Sequence, residues 1–232
     1  MPDIKSFSEK EKKDLLQQLR KEWREFPIHP LEIGWGINAE IILESISRSS
    51  DLTKRGVRGI IAEATFIFRI LEPYLERNPD WENINLETDY PYDFLIENKS
   101  LGLAARIQVK LQRQEAHAPL KANTKKQFKS LSDDYYIVET QKTRSGKDKN
   151  GNSTRPYHFN DFDILAVCME PTTHDWSVFR YSLIGNLVPK KDDKLALNVL
   201  QPVPLTPTGK SEWFADLDSA MREFIAKKSQ PS

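Results

Sequence analysis

Little in this chain points to covalent or membrane-borne support. Its 232 residues contain 1 cysteine, Cys168. That excludes an intramolecular disulfide and any zinc site built from several thiolates, and a reducing cytoplasm is the compartment that fits. No apolar run approaches the ~18 residues of a membrane span. Positions 1–30 are charged and hold no apolar core of the kind a secretory signal needs. His29, His117, His158 and His174 share no ligand spacing, and each reads as a surface or hydrogen-bonded histidine. Net charge is zero, with 34 basic and 34 acidic residues, so the overall balance says nothing about partners. What is present argues against disorder: 5 Trp, 7 Tyr and 11 Phe are enough to fill a core in a chain this long. Cys168 then reads as a small buried hydrophobe.

The charge is not evenly spread. From Lys99 to Arg155 there are 13 Lys and Arg against 5 Asp and Glu, 13 − 5 = +8, so the remaining residues sum to −8. A neutral chain with a basic centre is suited to binding a polyanion locally. Patterning supplies the elements. Ser8 and Glu11 form a capping box, and Leu15, Leu19, Trp23 and Phe26 share one face, so 8–26 reads as a helix ended by Pro27 and Pro30. A second helix covers 38–47. A third covers 56–75, with Val57, Ile60, Ile61, Ala64, Phe68 and Leu71 as its apolar stripe, Glu63 in its middle, and Pro73 and Pro79 ending it. The period then changes. Residues 92–96 and 103–111 read as a hairpin, 121–131 as helical, 135–140 as a third strand, 164–169 as a buried strand and 176–184 as a further one. The segment 144–157 is a polar exposed loop, 202–207 a Pro-rich extended connector and 211–227 a terminal amphipathic helix. The order implies an α/β or α+β fold around one mixed sheet.

One group of residues carries chemistry. Asp93 lies in the first strand of the hairpin, and Gln108 and Lys110 lie in the second. Residues i and i+2 share a face of a strand, so Gln108 and Lys110 point together while Ile107 and Val109 point into the core. Glu63 reaches the same edge if its helix packs across the sheet, although Arg106 is a candidate structural partner for it. A carboxylate can hold Mg²⁺ through hard oxygen ligands, and a neighbouring lysine can orient water or stabilise charge on a phosphate. Asp89 is the rival carboxylate.

Asp93, fourteen intervening residues and then Gln108-Val109-Lys110 resemble the active-site hairpin of the PD-(D/E)xK nucleases. More narrowly, they resemble type II restriction endonucleases in which Gln replaces the middle acid. Glu63 is similar to the upstream glutamate of that superfamily, and 162–181 is similar to its later strands. Two departures stand in this chain. Tyr92 precedes Asp93, with Pro91 one place earlier, and Gln108 stands where Asp or Glu is usual. The resemblance implies a restriction-endonuclease-like α/β core, a central mixed sheet flanked by helices, with extra N- and C-terminal helices. It implies one nuclease domain over 1–232: a helical part to 50, a core over 51–190 and an extension from 191. It implies Asp93, Gln108, Lys110 and Glu63 as catalytic, Mg²⁺ held by Asp93 and Glu63, double-stranded DNA as substrate, and a homodimer cutting both strands. Arg113, Lys121, Lys125, Lys126, Lys142, Arg144, Lys147 and Arg155 are the candidate DNA contacts. A repair or junction nuclease of the same fold, or a non-catalytic DNA-binding module, is the alternative.

Overall fold

The computed structural model describes residues 7–8, 10–12, 14–15, 18, 29–87, 90–142, 155–208 and 212–229. The chain divides into two compact units, Met1–Val57 and Arg58–Ser232. In the first, the Ser8 capping box is formed: Ser8 N donates to Glu11 Oε2 at 2.8 Å, and Glu11 N donates back to Ser8 Oγ at 3.3 Å. Leu19, Trp23 and Phe26, expected on that helix, lie outside the described residues. Helix α1 (Pro30–Trp35) is capped by His29, whose Nδ1 accepts from Leu31 N, and closed by Gly36 in the left-handed conformation. Helix α2 (Ala39–Arg48) starts at the Asn38 cap and matches the expected 38–47 within a residue at each end.

Helix α3 (Asp51–Phe66) passes through a π turn at Ile67–Leu71 into α4 (Glu72–Arg77). Pro73 was expected to end this helix and does not. Proline has no N–H to give the preceding turn, and the wider i→i+5 ladder, with Glu72 N donating to Ile67 O, absorbs that loss before the helix resumes. The expected apolar stripe is also displaced. Ile60, Ile61 and Phe68 are exposed, whereas Ala62, Phe66, Leu71 and Tyr74 are buried. Aromatic packing decides the rotation. Phe66 lies 5.3 Å from Phe94 and 5.5 Å from Phe179, ring centre to ring centre.

Five strands make the main sheet: β1 (Trp81–Ile84), β2 (Phe94–Asn98), β3 (Leu103–Leu111), β7 (Ile164–Cys168) and β8 (Phe179–Leu183), in the order β1-β2-β3-β7-β8. Strands β3 and β7 are parallel and the other neighbours antiparallel, so the sheet is mixed. β3 falls where the alternation placed it, while β2 begins two residues late and β1 was not anticipated. Between β3 and β7 the chain makes a small hairpin, β4 (Gln114–Glu115) with β5 (Ala118–Pro119), and two 3₁₀ turns, Ala122–Thr124 and Lys126–Phe128, in place of the helix expected over 121–131.

Strand β6 (Tyr135–Glu139) does not join the main sheet. It pairs with β9 (Leu200–Pro204), whose last three residues begin what composition suggested was a connector over 202–207. Pro202 and Pro204 are tolerated there because, among the described residues, β9 has one strand partner and its other edge carries no ladder bonds. A short helix α5 (Glu170–Thr173) precedes β8, and α6 (Leu217–Lys228) closes the described chain.

The sheet therefore has a core on each face. Ala105, Ile107 and Val109 meet Ala62, Phe66, Leu71 and Tyr74 of the long helix and Leu217, Ala220, Met221 and Phe224 of α6. On the opposite face Leu165 and Val167 pack with Val138, Val203, Tyr157, Phe162 and Met169. Cys168 is buried, and burial pushes its thiol up to about 11, consistent with an inert core residue. Phe66 fixes the helical turn that also carries Glu63. Phe66→Ala is expected to destabilise the protein by about 3–5 kcal/mol, read as a shift of the urea midpoint with unchanged slope. A loss below ~1 kcal/mol would mean that the helix is held elsewhere.

Candidate active site

The site is built at one end of the hairpin. Phe94 pairs with Ile107 in the last register step between β2 and β3, and Asp93 N still donates to Ile107 O at 3.0 Å. Asp93 thus precedes the strand in which it was expected, but it keeps the register and its side chain falls opposite Gln108. Asp93 Oδ2 accepts two hydrogen bonds, from Val109 N at 2.7 Å and from Gln108 Nε2. Gln108 is buried, 2% exposed, and its amide is fully used. Nε2 also donates to Val109 O at 3.1 Å, and Oε1 accepts from Tyr157 O–H at 3.1 Å. The Gln108 nitrogen, not its oxygen, therefore faces Asp93.

Lys110 leaves β3 on the same side, part-buried, with its ammonium 5.5 Å from the centre of the Tyr157 ring. Glu63 comes from α3. It interacts electrostatically with both Asp93 and Lys110, so the four expected residues belong to one neighbourhood. Burial, reinforced by the Asp93 charge and opposed by Lys110, raises the Glu63 carboxyl from 4.5 to about 7. Burial also raises Asp93, against Lys110, the Val109 N–H and the Gln108 amide. Lys110 is lowered by burial while both carboxylates hold it up. Arg106 is not the partner of Glu63. It forks onto Asp163, with Nε to Oδ2 at 2.8 Å and Nη2 to Oδ1 at 3.1 Å.

Two carboxylates and one ammonium, all part-buried, leave an excess of negative charge. Glu63 and the Asp93 Oδ1 atom accept no hydrogen bond among the described residues, so hard oxygen donors remain unused. That donor set fits a divalent cation which takes oxygen ligands and keeps several waters. Among the described residues no three of His, Cys, Asp or Glu converge on one point. The four histidines form no cluster, and Asp89 lies outside the described residues.

Sequence reasoning missed Tyr157. It is buried, packs edge-on against Phe162 at 5.4 Å, and has a phenol raised by burial and by Asp93. Its position at the end of a polar segment gave no signal. The basic residues are mostly neutralised. Arg113 pairs with Glu139 and Glu115, Lys125 with Glu115 at 3.3 Å, and Lys121 with Asp133 at 3.8 Å. Lys142 pairs with Asp161 at 3.0 Å and lies 5.5 Å from the Tyr157 ring centre, beside the site. Arg155 Nε donates to Lys142 O at 3.4 Å, and Lys126 is exposed. Arg144 and Lys147 lie outside the described residues.

No family model and no curated protein matches this sequence. Among solved structures it is similar to a bacterial homing endonuclease, I-Ssp6803I, at 18% identity and a TM-score of 0.40, over 75% of this chain and 95% of that one. No described helix is long and apolar enough to cross a membrane.

The Glu63 shift has a stability consequence in chelator-treated protein. The unfolded chain ionises this carboxyl near 4.5 and the folded chain near about 7, so the folded state binds more protons between those values. Its ionisation therefore penalises folding progressively as pH rises through that window, and fully above it. Glu63→Gln carries no such charge. The variant is expected to match wild type in urea midpoint near pH 4.5 and to exceed it at pH 8. Parallel midpoints at both pH values would show that Glu63 is under no electrostatic stress.

Proposed function

We propose that this chain is a metal-dependent endonuclease that hydrolyses phosphodiester bonds of double-stranded DNA, with Mg²⁺ as its cofactor and the type II restriction class as its type. The observation that carries the reading is the meeting of Asp93, Glu63 and Lys110, with Gln108 bonded to Asp93, at the end of one hairpin. Asp93 and Glu63 would hold the cation. When bound, such an ion supplies Lewis-acid polarisation of the phosphoryl oxygen and a more acidic water. Lys110 places a positive charge where negative charge develops on the phosphate, and the two carboxylates oppose the lowering that burial imposes on it. Gln108 holds Asp93 in register and leaves one of its oxygens free. Lys142, beside the same ring, and the exposed Lys126 are the basic residues best placed to meet the DNA backbone. Cutting both strands of a short symmetric site calls for two such centres, hence a homodimer acting in the cytoplasm.

Digestion of mapped DNA with Mg²⁺ and with chelator tests the proposal. Discrete fragments appearing with the metal alone support the restriction class, nicking confined to branched or damaged substrates supports a repair nuclease, and binding without cleavage supports a non-catalytic module. Asp93→Ala and Lys110→Ala are each expected to reduce cleavage by ~10²-fold or more while DNA affinity, measured by fluorescence anisotropy, stays within about threefold. Retention of more than ~10% of the wild-type rate in either variant would move the active site elsewhere.

A further inference from the structure

We propose that Tyr157 is a positioning residue of this site, acting through Gln108 to hold Asp93 in the orientation that leaves its Oδ1 free. The inference rests on the nuclease reading above and adds a residue that the hairpin motif does not contain. Two bonds run in series, and a third converges on the same carboxylate oxygen. Tyr157 O–H donates to Gln108 Oε1 at 3.1 Å, Gln108 Nε2 donates to Asp93 Oδ2, and Val109 N donates to the same oxygen at 2.7 Å. An amide has two nearly isosteric ends, and only its partners decide which faces a carboxylate. Here two acceptors, Asp93 Oδ2 and Val109 O, require the nitrogen at one end of the amide, and the Tyr157 hydroxyl, which can donate or accept, anchors the oxygen at the other. The nitrogen is thereby held against Asp93 from the far end of the amide.

Without that hydroxyl the buried Oε1 would lose its partner, the far end of the amide would no longer be anchored, and its charge-assisted bond to the carboxylate would weaken. The ring contributes separately. The Lys110 and Lys142 ammonium groups each lie 5.5 Å from its centre, so the one ring borders both the site lysine and a candidate DNA contact. Tyr157 is 4% exposed, and its packing on Phe162 fixes where the hydroxyl can sit.

Tyr157→Phe removes one oxygen and keeps the ring, so thermal melting of the full chain serves as the check on folding. The expected result has three parts. Mn²⁺ affinity of the DNA-free protein, by calorimetry, falls roughly 5- to 10-fold, as for loss of one buried charge-linked hydrogen bond. The single-turnover cleavage rate falls by at least as much, and DNA affinity is unchanged. In a Gln108→Met background, where no amide remains to orient, adding Tyr157→Phe has no further effect on Mn²⁺ affinity. Wild-type Mn²⁺ affinity and rate in Tyr157→Phe would overturn the inference, as would an undiminished effect in the Gln108→Met background, which would mark a packing role alone. Asp93→Ala separates this from failure of the parent reading: if that variant cleaves like wild type, the site is not catalytic, whatever Tyr157 does.

Discussion

The two-residue alternation of the central strand governs everything at the candidate site. β3 is paired on both edges and buried on both faces, so each of its side chains is committed to one of two cores. Ile107 and Val109 face the helices, while Gln108 and Lys110 face the layer that holds Tyr157. A slip of one residue would bury an ammonium beneath Phe66 and turn two aliphatic side chains toward Asp93. The apolar residues at 105, 107 and 109 make such a slip costly. The precision of the polar face is thus set by hydrophobic burial on the opposite one.

Given that register, the chemistry follows from crowding. Asp93, Glu63 and Lys110 share a part-buried neighbourhood, and each is displaced from its ordinary titration in the direction that burial dictates. The lysine offsets only part of the repulsion between the two carboxylates, because one positive charge cannot balance two negative ones. Water solvates exposed charges well, but here it is partly excluded. Positive charge brought close to the two carboxylates would relieve that repulsion. The peripheral cations behave differently. Arg113, Lys121 and Lys125 have acidic neighbours of their own, so the central excess of +8 seen in the sequence (13 − 5) overstates the free positive surface.

Much of this was legible because it depends on period and short range. The Ser8 capping box, the Asn38 helix start and the whole of β3 follow from spacing, and so does the division of residues 107–110 between two faces. What was not legible depends on competition between distant partners. Pro73 reads as a helix stop until a π turn supplies the geometry that tolerates it. The 56–75 helix offers two apolar faces, and only the aromatic pocket made by Phe94 and Phe179 selects the one carrying Phe66. The Pro-rich strand β9 reads as a connector because its role is set by an edge pairing with β6, some sixty residues away. Tyr157 was invisible for the same reason: a tyrosine after a polar stretch acquires meaning only when the fold sets its hydroxyl beside Gln108.

Gln108 joins the carboxylate of Asp93 to the hydroxyl of Tyr157. A carboxylate there would add a third anion to a neighbourhood where two already resist ionisation, and it would have no proton to offer Asp93 at neutral pH. The amide supplies N–H to the carboxylate on one side and accepts O–H from the phenol on the other. It therefore lowers the electrostatic load while tightening the geometry. Every polar atom of its side chain is matched, which is what allows it to be almost completely buried in the middle of the sheet. An amide at this position is then a coherent solution in itself: no further charge is added, and the orientation of Asp93 is fixed by two donors.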